Sequence, residues 1–229
     1  MLGFNFIKII KNNIIFFILV DYLVKKLSIS FESHYKVVKY LNKKPVVLDL
    51  GSHVGQSIKE YLKYDISKIY SFEPDLGNYL KIKKKFKSKV KVYNVALSNR
   101  EGYGFFYTPY YKNYAFKSWS SVKLDELKRK FMKFKFFSLI TFKEFKVKYK
   151  TIDSFNIKPH LIKIDTEGGE LEILQGAINT LKENKPIITI EKSINQRKID
   201  NFLKILKYKR MHFDLKYYPG QVRQVIYKK

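Results

Sequence analysis

Short runs of apolar residues alternate with segments of helical periodicity along most of the chain. The apolar runs predict buried strands at residues 46–50, 68–72, 90–95, 161–164 and 187–191. Segments in which apolar residues recur every three or four positions follow most of these runs and predict helices. Strands that alternate with helices are typical of an α/β domain with a doubly wound, mostly parallel sheet.

Two details of this pattern bear on the architecture. After Gly169, apolar residues at positions 171, 174, 178 and 181 predict one helix that ends near Pro186. At the carboxyl terminus, strands near residues 211–215 and 222–227 flank a Pro219-Gly220 turn. That turn predicts an antiparallel pair, so the sheet is expected to be mixed.

The alternation lapses between the third and fourth strands. One further strand is predicted at residues 103–107, and residues 112–150 then hold 12 basic and three acidic residues together with ten aromatic ones. An insertion at about residues 108–150 would lie over the carboxyl ends of the strands, where open α/β sheets bind ligands. Two interpretations stay open: a substrate-recognition lid in which Trp119, Ser120 and Ser121 line the pocket, and a Lys-rich helix whose aromatic side chains pack on the domain.

The amino-terminal segment is apolar but short of a membrane span. We expect residues 1–45 to form a helical segment and residues 46–229 to form the main domain. The uninterrupted apolar run at residues 14–20 has seven residues, whereas about 20 are needed to cross a bilayer. The run predicts a helix packed on the domain, and the alternative is peripheral membrane contact through residues 1–24.

Composition narrows the classes of partner. The formal net charge is +26, yet only five of the 46 basic residues are Arg. A nucleic-acid-binding protein is expected to use more Arg, because the guanidinium pairs bidentately with phosphates and bases. A general bias toward Lys therefore explains the charge better, although such a field favours anionic substrates or nucleic acid as partners. The absence of Cys excludes disulfides, thiolate zinc sites and Cys nucleophiles, and is compatible with a cytoplasmic location.

The first strand leads into a glycine-containing turn with the layout of a nucleoside-cofactor site. The turn reads Asp49-x-Gly51-x-x-x-Gly55, and Glu73 ends the second strand 24 residues after Asp49. Glycines let backbone N–H groups approach a ligand, and an acid ending the second strand can accept hydrogen bonds from ribose hydroxyls. Because the turn lacks the tight second glycine that admits a pyrophosphate, it favours S-adenosylmethionine (SAM) over NAD.

Four acids lie within eight residues after the fourth strand, at positions 165, 167, 170 and 172. Asp165 directly follows the buried strand, so it is the first candidate for the general base of a transfer reaction, and Glu167 is the second. His53 is an alternative base, because imidazole can take a proton near pH 7. The acids at positions 170 and 172 are better explained by favourable placement in the first turn of a helix.

The same acids admit a metal. Asp165 and Glu167 could converge with Glu191, which ends the fifth strand, on Mg²⁺ and a substrate diol. Oxygen ligands of this kind suit hard divalent cations. Sequence alone supplies no distances, so we assign no metal ligand.

Five motifs resemble, in order, those of the FkbM family of SAM-dependent methyltransferases. They are DLGSHVG at 49–55, FEP at 72–74, NVALS at 94–98, TID at 151–153 and IKIDTEGGE at 162–170. The resemblance implies a class I (Rossmann-like) methyltransferase fold with SAM as cofactor. It also implies methyl transfer to a hydroxyl of a sugar, glycan, lipid-linked glycan or natural product.

The same match implies roles for individual residues. Gly51 and Gly55 would approach the methionine part of SAM, Glu73 would hold the ribose, and Ala96 would border the adenine. The motifs add further residues to the cofactor set: Asp49, Ser52, His53, Pro74, Asn94 and Asp165. Two positions depart from the family pattern, with His53 where Asn is common and Gly169 where a larger residue is usual.

Two other functions remain open at this point. The basic charge and the aromatic residues interleaved with Lys admit a nucleic-acid 2′-O-methyltransferase, in which the rings would stack on bases. The chain could also be a non-catalytic basic module that keeps the fold, because a fold alone does not determine function. The acceptor and the oligomeric state are not predicted.

Overall fold

The computed structural model describes residues 12–26, 34–41, 44–211 and 224–229. The strands within these ranges are β1 (Val46–Leu50), β2 (Lys68–Phe72), β3 (Val90–Tyr93), β4 (Ala96–Leu97), β5 (Gly102–Tyr111), β6 (Tyr114–Ala115), β7 (Thr141–Lys150), β8 (Leu161–Ile164), β9 (Ile187–Glu191), β10 (Lys209–Met211) and β11 (Gln224–Lys228). The α-helices are α1 (Ile14–Lys26), α2 (Gln56–Tyr61), α3 (Leu76–Phe86), α4 (Leu124–Phe131), α5 (Glu170–Gln175), α6 (Ile178–Asn184) and α7 (Gln196–Ile205).

The main sheet has seven strands among the described residues, in the order β10-β11-β9-β8-β1-β2-β3. Strands β9, β8, β1, β2 and β3 are parallel to their neighbours in this run, whereas β11 is antiparallel to both β9 and β10. The predicted mixed, mostly parallel sheet is therefore confirmed. The Pro219-Gly220 turn and most of the strand predicted at 211–215 lie outside the described residues.

The sheet is covered on both faces because its strands carry apolar side chains in both directions. Leu48 and Leu50 of β1 belong to a core cluster shared with α5, α6 and α7. Val47, which directly precedes Leu48, belongs to a second cluster shared with α2 and α3. Successive residues of a strand point to opposite faces, so one apolar strand supplies both cores.

The single helix predicted after Gly169 is wrong: two short helices, α5 and α6, are separated at Gly176 and Ala177. A Cβ at Gly176 would lie 2.1 Å from the carbonyl oxygen of Ser98, so the chain passes too close to its neighbour for a side chain there. Helix α6 then starts anew, and the Asp153 carboxylate accepts the backbone N–H of Thr180 at 2.9 Å. Apolar spacing continues across the break because both helices bury the same side.

The insertion is mainly a second sheet, in the order β4-β7-β5-β6 among the described residues. Strands β5 and β7 pair antiparallel from Gly102↔Tyr149 to Tyr110↔Thr141. The long Lys-rich helix was therefore a wrong interpretation, because helical structure of this kind is limited to the eight residues of α4. The sheet also includes residues before the predicted boundary at 108, because β4 lies at Ala96–Leu97 and β5 begins at Gly102.

Aromatic side chains of this insertion form a cluster with α1. Phe17 of α1 lies 5.0 Å from Phe116 and 5.7 Å from Trp119, measured between ring centroids. Phe131 and Phe116 are fully buried in the same cluster. Helix α1 thus packs on the insertion. Among the described residues, no helix combines the length and the apolar character that a membrane span requires.

Candidate active site

A cavity of about 220 Å³ opens at the carboxyl ends of the parallel strands. The segments after β1, β2 and β8 line it, together with the last residue of β9 and with residues from the second sheet and the segment that follows β6. The lining includes Gly51, Ser52, His53, Glu73, Pro74, Ala96, Phe106, Lys117, Ser118, Ser120, Val122, Lys163, Asp165, Thr166, Glu167 and Glu191. This is where ligands bind in open α/β sheets.

The turn after β1 packs directly against the turn after β8. Gly51 has φ +77°, and a Cβ on it would lie 1.8 Å from the carbonyl oxygen of Asp165. Its N–H donates to the Phe72 carbonyl at 3.1 Å, which fixes the turn to β2. Only glycine meets both requirements here, since a side chain would collide with backbone and would also be strained at positive φ.

Glu73 is buried at the cavity wall, and backbone donors hold its carboxylate. The N–H groups of His53 and Asp75 donate to its two oxygens at 2.8 and 3.0 Å. Burial raises the pKa of Glu73 to about 8, while these two hydrogen bonds act in the opposite direction. A buried carboxyl group of this kind, facing a cavity, suits recognition of ligand hydroxyls.

Asn94, predicted in the cofactor set, supports this wall from behind. Its side-chain amide donates to the carbonyl oxygens of Glu73 and Pro74, each at 2.9 Å. Asn94 does not line the cavity, whereas Pro74 and Ala96 do. It therefore orients the residues that can touch a ligand.

Two other predicted residues, Asp49 and Gly55, shape the first turn without lining the cavity. The Asp49 carboxylate is fully buried and accepts a hydrogen bond from the Ser57 hydroxyl at 2.6 Å. Gly55 has φ +79° and packs on the Phe86 ring, where a Cβ would lie 2.4 Å from a ring carbon. The structure therefore gives Gly55 a packing role at the start of α2.

Three carboxyl groups converge on the opposite side of the cavity. One oxygen each from Asp165, Glu167 and Glu191 lies within 4.8 Å of the others. Burial and the nearby Asp165 charge raise the pKa of Glu167, whereas its ion pair with Lys130 opposes the shift. Burial, followed by the charge of Asp165 and a hydrogen bond with it, raises the pKa of Glu191. These effects favour the protonated form of Glu191, and its hydrogen bond with Asp165 joins the two carboxyl groups.

The two remaining acids of the motif serve the fold, in line with their expected place in a helix. Glu170 accepts the N–H of Gly168 at 2.8 Å and the hydroxyl of Ser193 at 3.0 Å. Glu172 forms an ion pair with Lys123. Neither lines the cavity.

Lys163, which sequence reasoning missed, joins the two halves of the site. Its side chain is 2% exposed, and its Nζ lies 3.3 Å from Asp165 and 3.4 Å from Asp49. It also donates to the Gly51 carbonyl at 3.1 Å. The available signal was a lysine inside an apolar strand, since buried lysines are rare unless paired.

The insertion forms the remaining wall, but with a different set of residues from the one predicted. Of the predicted three, Ser120 lines the cavity, Ser121 donates to the Glu167 carbonyl at 2.7 Å, and Trp119 belongs to the aromatic cluster. The insertion residues that line the cavity but were not predicted are Phe106, Lys117, Ser118 and Val122. Lys117 forms an ion pair with Asp75 at 2.8 Å.

The model of the Methyltransferase FkbM domain matches residues 49–217. The chain belongs to the FkbM methyltransferase family. No curated protein sequence matches it. The match includes both turns of the cavity and the whole second sheet, so the resemblance inferred from the five motifs is confirmed.

Solved structures agree on the fold of this FkbM domain. The chain is similar to a methyltransferase FkbM from Methylobacillus flagellatus, with 16% identity and a TM-score of 0.58, over 88% of this chain and 48% of that one. It therefore spans about half the length of that protein. A tRNA methyltransferase, TrmK, from B. subtilis is also similar, with 13% identity and a TM-score of 0.50, over 86% and 65% of the two chains. The class I methyltransferase fold is thus confirmed.

The cavity residues of this FkbM domain fit SAM, the donor used by the family. Glu73 offers a carboxylate for the ribose hydroxyls, and the segment through Gly51 and Ser52 brings backbone to the cavity without bulky side chains. Ala96 leaves room on the side of β4. The donor side and the carboxyl cluster are in contact through Gly51 and Asp165, so a bound donor and an acceptor would share one cavity.

Proposed function

We propose that the protein transfers the methyl group of SAM to a hydroxyl oxygen of a sugar, glycan or related hydroxylated metabolite. The observation that carries this proposal is the convergence of Asp165, Glu167 and Glu191 beside the cofactor turn. An alcohol is a poor nucleophile until its proton is removed or its oxygen is polarised. Carboxyl groups facing the cavity supply that function.

The carboxyl cluster would hold and deprotonate the acceptor. SAM supplies a methyl group on a positively charged sulfur. Asp165, fixed by Lys163 and Glu191, would orient the acceptor hydroxyl. As the acceptor oxygen bonds to the methyl carbon, the carbon–sulfur bond would break to leave a neutral thioether, and the hydroxyl proton would pass to the carboxylate of Asp165 or of Glu167. The raised pKa of Glu167 makes its carboxylate a stronger base than an exposed glutamate, which suits proton removal near neutral pH.

The wall contributed by the insertion supports a hydroxylated, anionic acceptor. Ser118 and Ser120 bring hydroxyls to the cavity, Lys117 brings a positive charge, and Phe106 brings an apolar ring. Such a mixture matches sugars, which present both hydroxyls and apolar C–H surfaces. Eight of the ten aromatic rings at residues 112–150 lie instead in the aromatic cluster with α1, so these rings do not favour a nucleic-acid acceptor.

The direct test is mass spectrometry of candidate acceptors incubated with the protein and SAM. We expect a gain of one methyl group on a hydroxyl of a sugar or glycan, and none on RNA. Asp165→Asn should abolish turnover while SAM binding, measured by calorimetry, persists. Glu172→Gln is the matched control, because Glu172 belongs to the same motif but lies outside the cavity lining. Normal turnover by Asp165→Asn would remove this residue from the mechanism.

Mg²⁺ is a separate part of this proposal. Three carboxyl oxygens within 4.8 Å suit a hard cation, but the ion pairs with Lys130 and Lys163 already compensate their charge. We therefore expect turnover to be unchanged by EDTA. A loss of activity with EDTA that Mg²⁺ restores would assign the cluster to a metal instead.

A further inference from the structure

Helix α1 carries apolar side chains on two sides. Ile14 and Phe17 are buried in the aromatic cluster of the insertion. Four other large side chains are between 41% and 73% exposed, and we call them the outer stripe: Ile15, Leu19, Tyr22 and Leu23. Positions i, i+4, i+7 and i+8 lie on one side of a helix, so these side chains form one contiguous surface. Such a surface indicates an interaction site.

The only acidic residue among the first 26, Asp21, points away from the outer stripe. Its carboxylate accepts hydrogen bonds from the Tyr114 hydroxyl at 2.6 Å and the Ser118 hydroxyl at 2.9 Å, both on the insertion. The same 26 residues include four Lys. The exposed side of α1 is therefore apolar, without negative charge, in a segment of net positive charge.

Exposed lysines also flank α1 from the insertion. Phe134 and Phe136 contact Phe17, with ring centroids 5.1 and 5.5 Å apart. Lys133 and Lys135 alternate with these two rings and are exposed. An exposed apolar helix side in a positively charged, lysine-containing region is typical of helices that lie in the headgroup region of anionic bilayers.

We propose that the outer stripe of α1 docks on an anionic lipid bilayer. The 13 residues of α1 extend over roughly 20 Å, which is less than the hydrocarbon thickness of about 30 Å. The helix therefore lies in the plane of the surface. Ser118 both lines the cavity and bonds to Asp21, so docking holds the cavity wall beside the bilayer.

Flotation of the full chain with lipid vesicles tests this proposal. We expect binding to vesicles that mix phosphatidylcholine with phosphatidylserine, weak binding to phosphatidylcholine alone, and weaker binding as salt rises. Leu19→Glu with Leu23→Glu should weaken binding by at least about tenfold, because two leucines lose their apolar contact. Leu76→Glu with Leu80→Glu on α3 is the matched control, with the same spacing and 59% and 53% exposure, and should bind like the wild type.

A second pair of substitutions distinguishes loss of apolar contact from charge repulsion by the lipid. Leu19→Gln with Leu23→Gln keeps helix propensity and adds no charge, and it should also lose binding. Circular dichroism and SAM binding at wild-type levels show that each variant is folded. The proposal would be overturned if the wild-type protein did not bind the anionic vesicles. It would also be overturned if the α1 variants bound them as well as the wild type. A concentration-dependent dimer that the α1 variants dissociate, without vesicle binding, would assign the stripe to a second copy of the chain.

Discussion

Replacing Lys163 with Met should destabilise the protein strongly, because this lysine compensates two carboxylates. Its Nζ lies 3.4 Å from the fully buried Asp49 and 3.3 Å from Asp165, and it donates to the Gly51 carbonyl. Met has a similar length and no charge, so the substitution leaves the packing nearly unchanged. Asp49 loses its ion-pair partner, which is the only one it has among the described residues.

The size of the effect follows from burial. Removing one partner of a buried ion pair costs about 3–5 kcal/mol, because the other charge stays in a poorly solvated place. Asp165 keeps some contact with solvent, with its side chain 18% exposed, so most of the cost falls on Asp49. In a domain of this size about 1 kcal/mol shifts the Tm by about 2–4 °C, so we expect a fall of about 6–20 °C.

Calorimetric melting of three variants checks this expectation. Lys63→Met is the matched control, because Lys63 forms an exposed ion pair with Glu60, and its Tm should hardly change. Adding Asp49→Asn to Lys163→Met should recover much of the lost Tm, since it removes the stranded charge while its amide oxygen can still accept the Ser57 hydroxyl.

Two results would refute this reasoning. One is a Tm of Lys163→Met within about 2 °C of the wild type, which corresponds to less than about 1 kcal/mol. The other is a further fall when Asp49→Asn is added. Either result would mean that the buried amine does not compensate the Asp49 charge.

Three further predictions concern the cofactor side and the helices behind it. Glu73→Ala should weaken SAM binding about 5- to 100-fold in calorimetry, because it removes the partner of two ribose hydroxyls and each hydrogen bond contributes about 0.5–1.5 kcal/mol; unchanged affinity would exclude Glu73 from the ribose site. The pKa of Glu73 rises from 4.5 to about 8 on folding, so the folded state holds a proton that the unfolded chain releases, and this residue should lower the stability of the SAM-free protein as pH rises from 4.5 to about 8. Denaturant titrations of wild type and Glu73→Gln across that range should show a smaller decline in the variant, and parallel curves would contradict the shift. Asp153→Ala should cost about 1–2 kcal/mol in urea unfolding, because its carboxylate caps α6 through the N–H groups of Asn179 and Thr180; a cost below about 0.3 kcal/mol would contradict the capping role.

Much of the main sheet could be predicted because its strands are short, apolar and bounded by turns. The predicted bounds of β1, β2 and β9 agree with the observed ones, because each buried strand coincides with one apolar run in the sequence. The break at Gly176 could not be predicted, because it depends on the close approach of Ser98 from a distant segment. The spacing of apolar residues along the chain does not reveal such a contact.

The second sheet was missed although a signal was present. Phe145, Val147 and Tyr149 alternate with lysines in β7, which is the period of a strand. The high lysine content suggested a helix, although the alternation of apolar residues with lysines indicates a strand. In the site, the motifs located Gly51, Glu73 and Asp165 correctly at the cavity. They could not identify Lys163, whose importance follows from its pairing across the sheet with Asp49.

The ion pair between Lys117 and Asp75 connects the insertion wall of the cavity to the turn that carries Glu73. Lys117 belongs to the wall contributed by the insertion, whereas Asp75 donates its N–H to Glu73 and accepts the N–H of Asn78 at the start of α3. An acceptor that holds Lys117 in place thereby also holds the turn that carries Glu73. If a bound acceptor raises the affinity for SAM by some factor, bound SAM must raise the affinity for the acceptor by the same factor. The two substrates would then bind with positive cooperativity. Release of one product would lower the affinity for the other product.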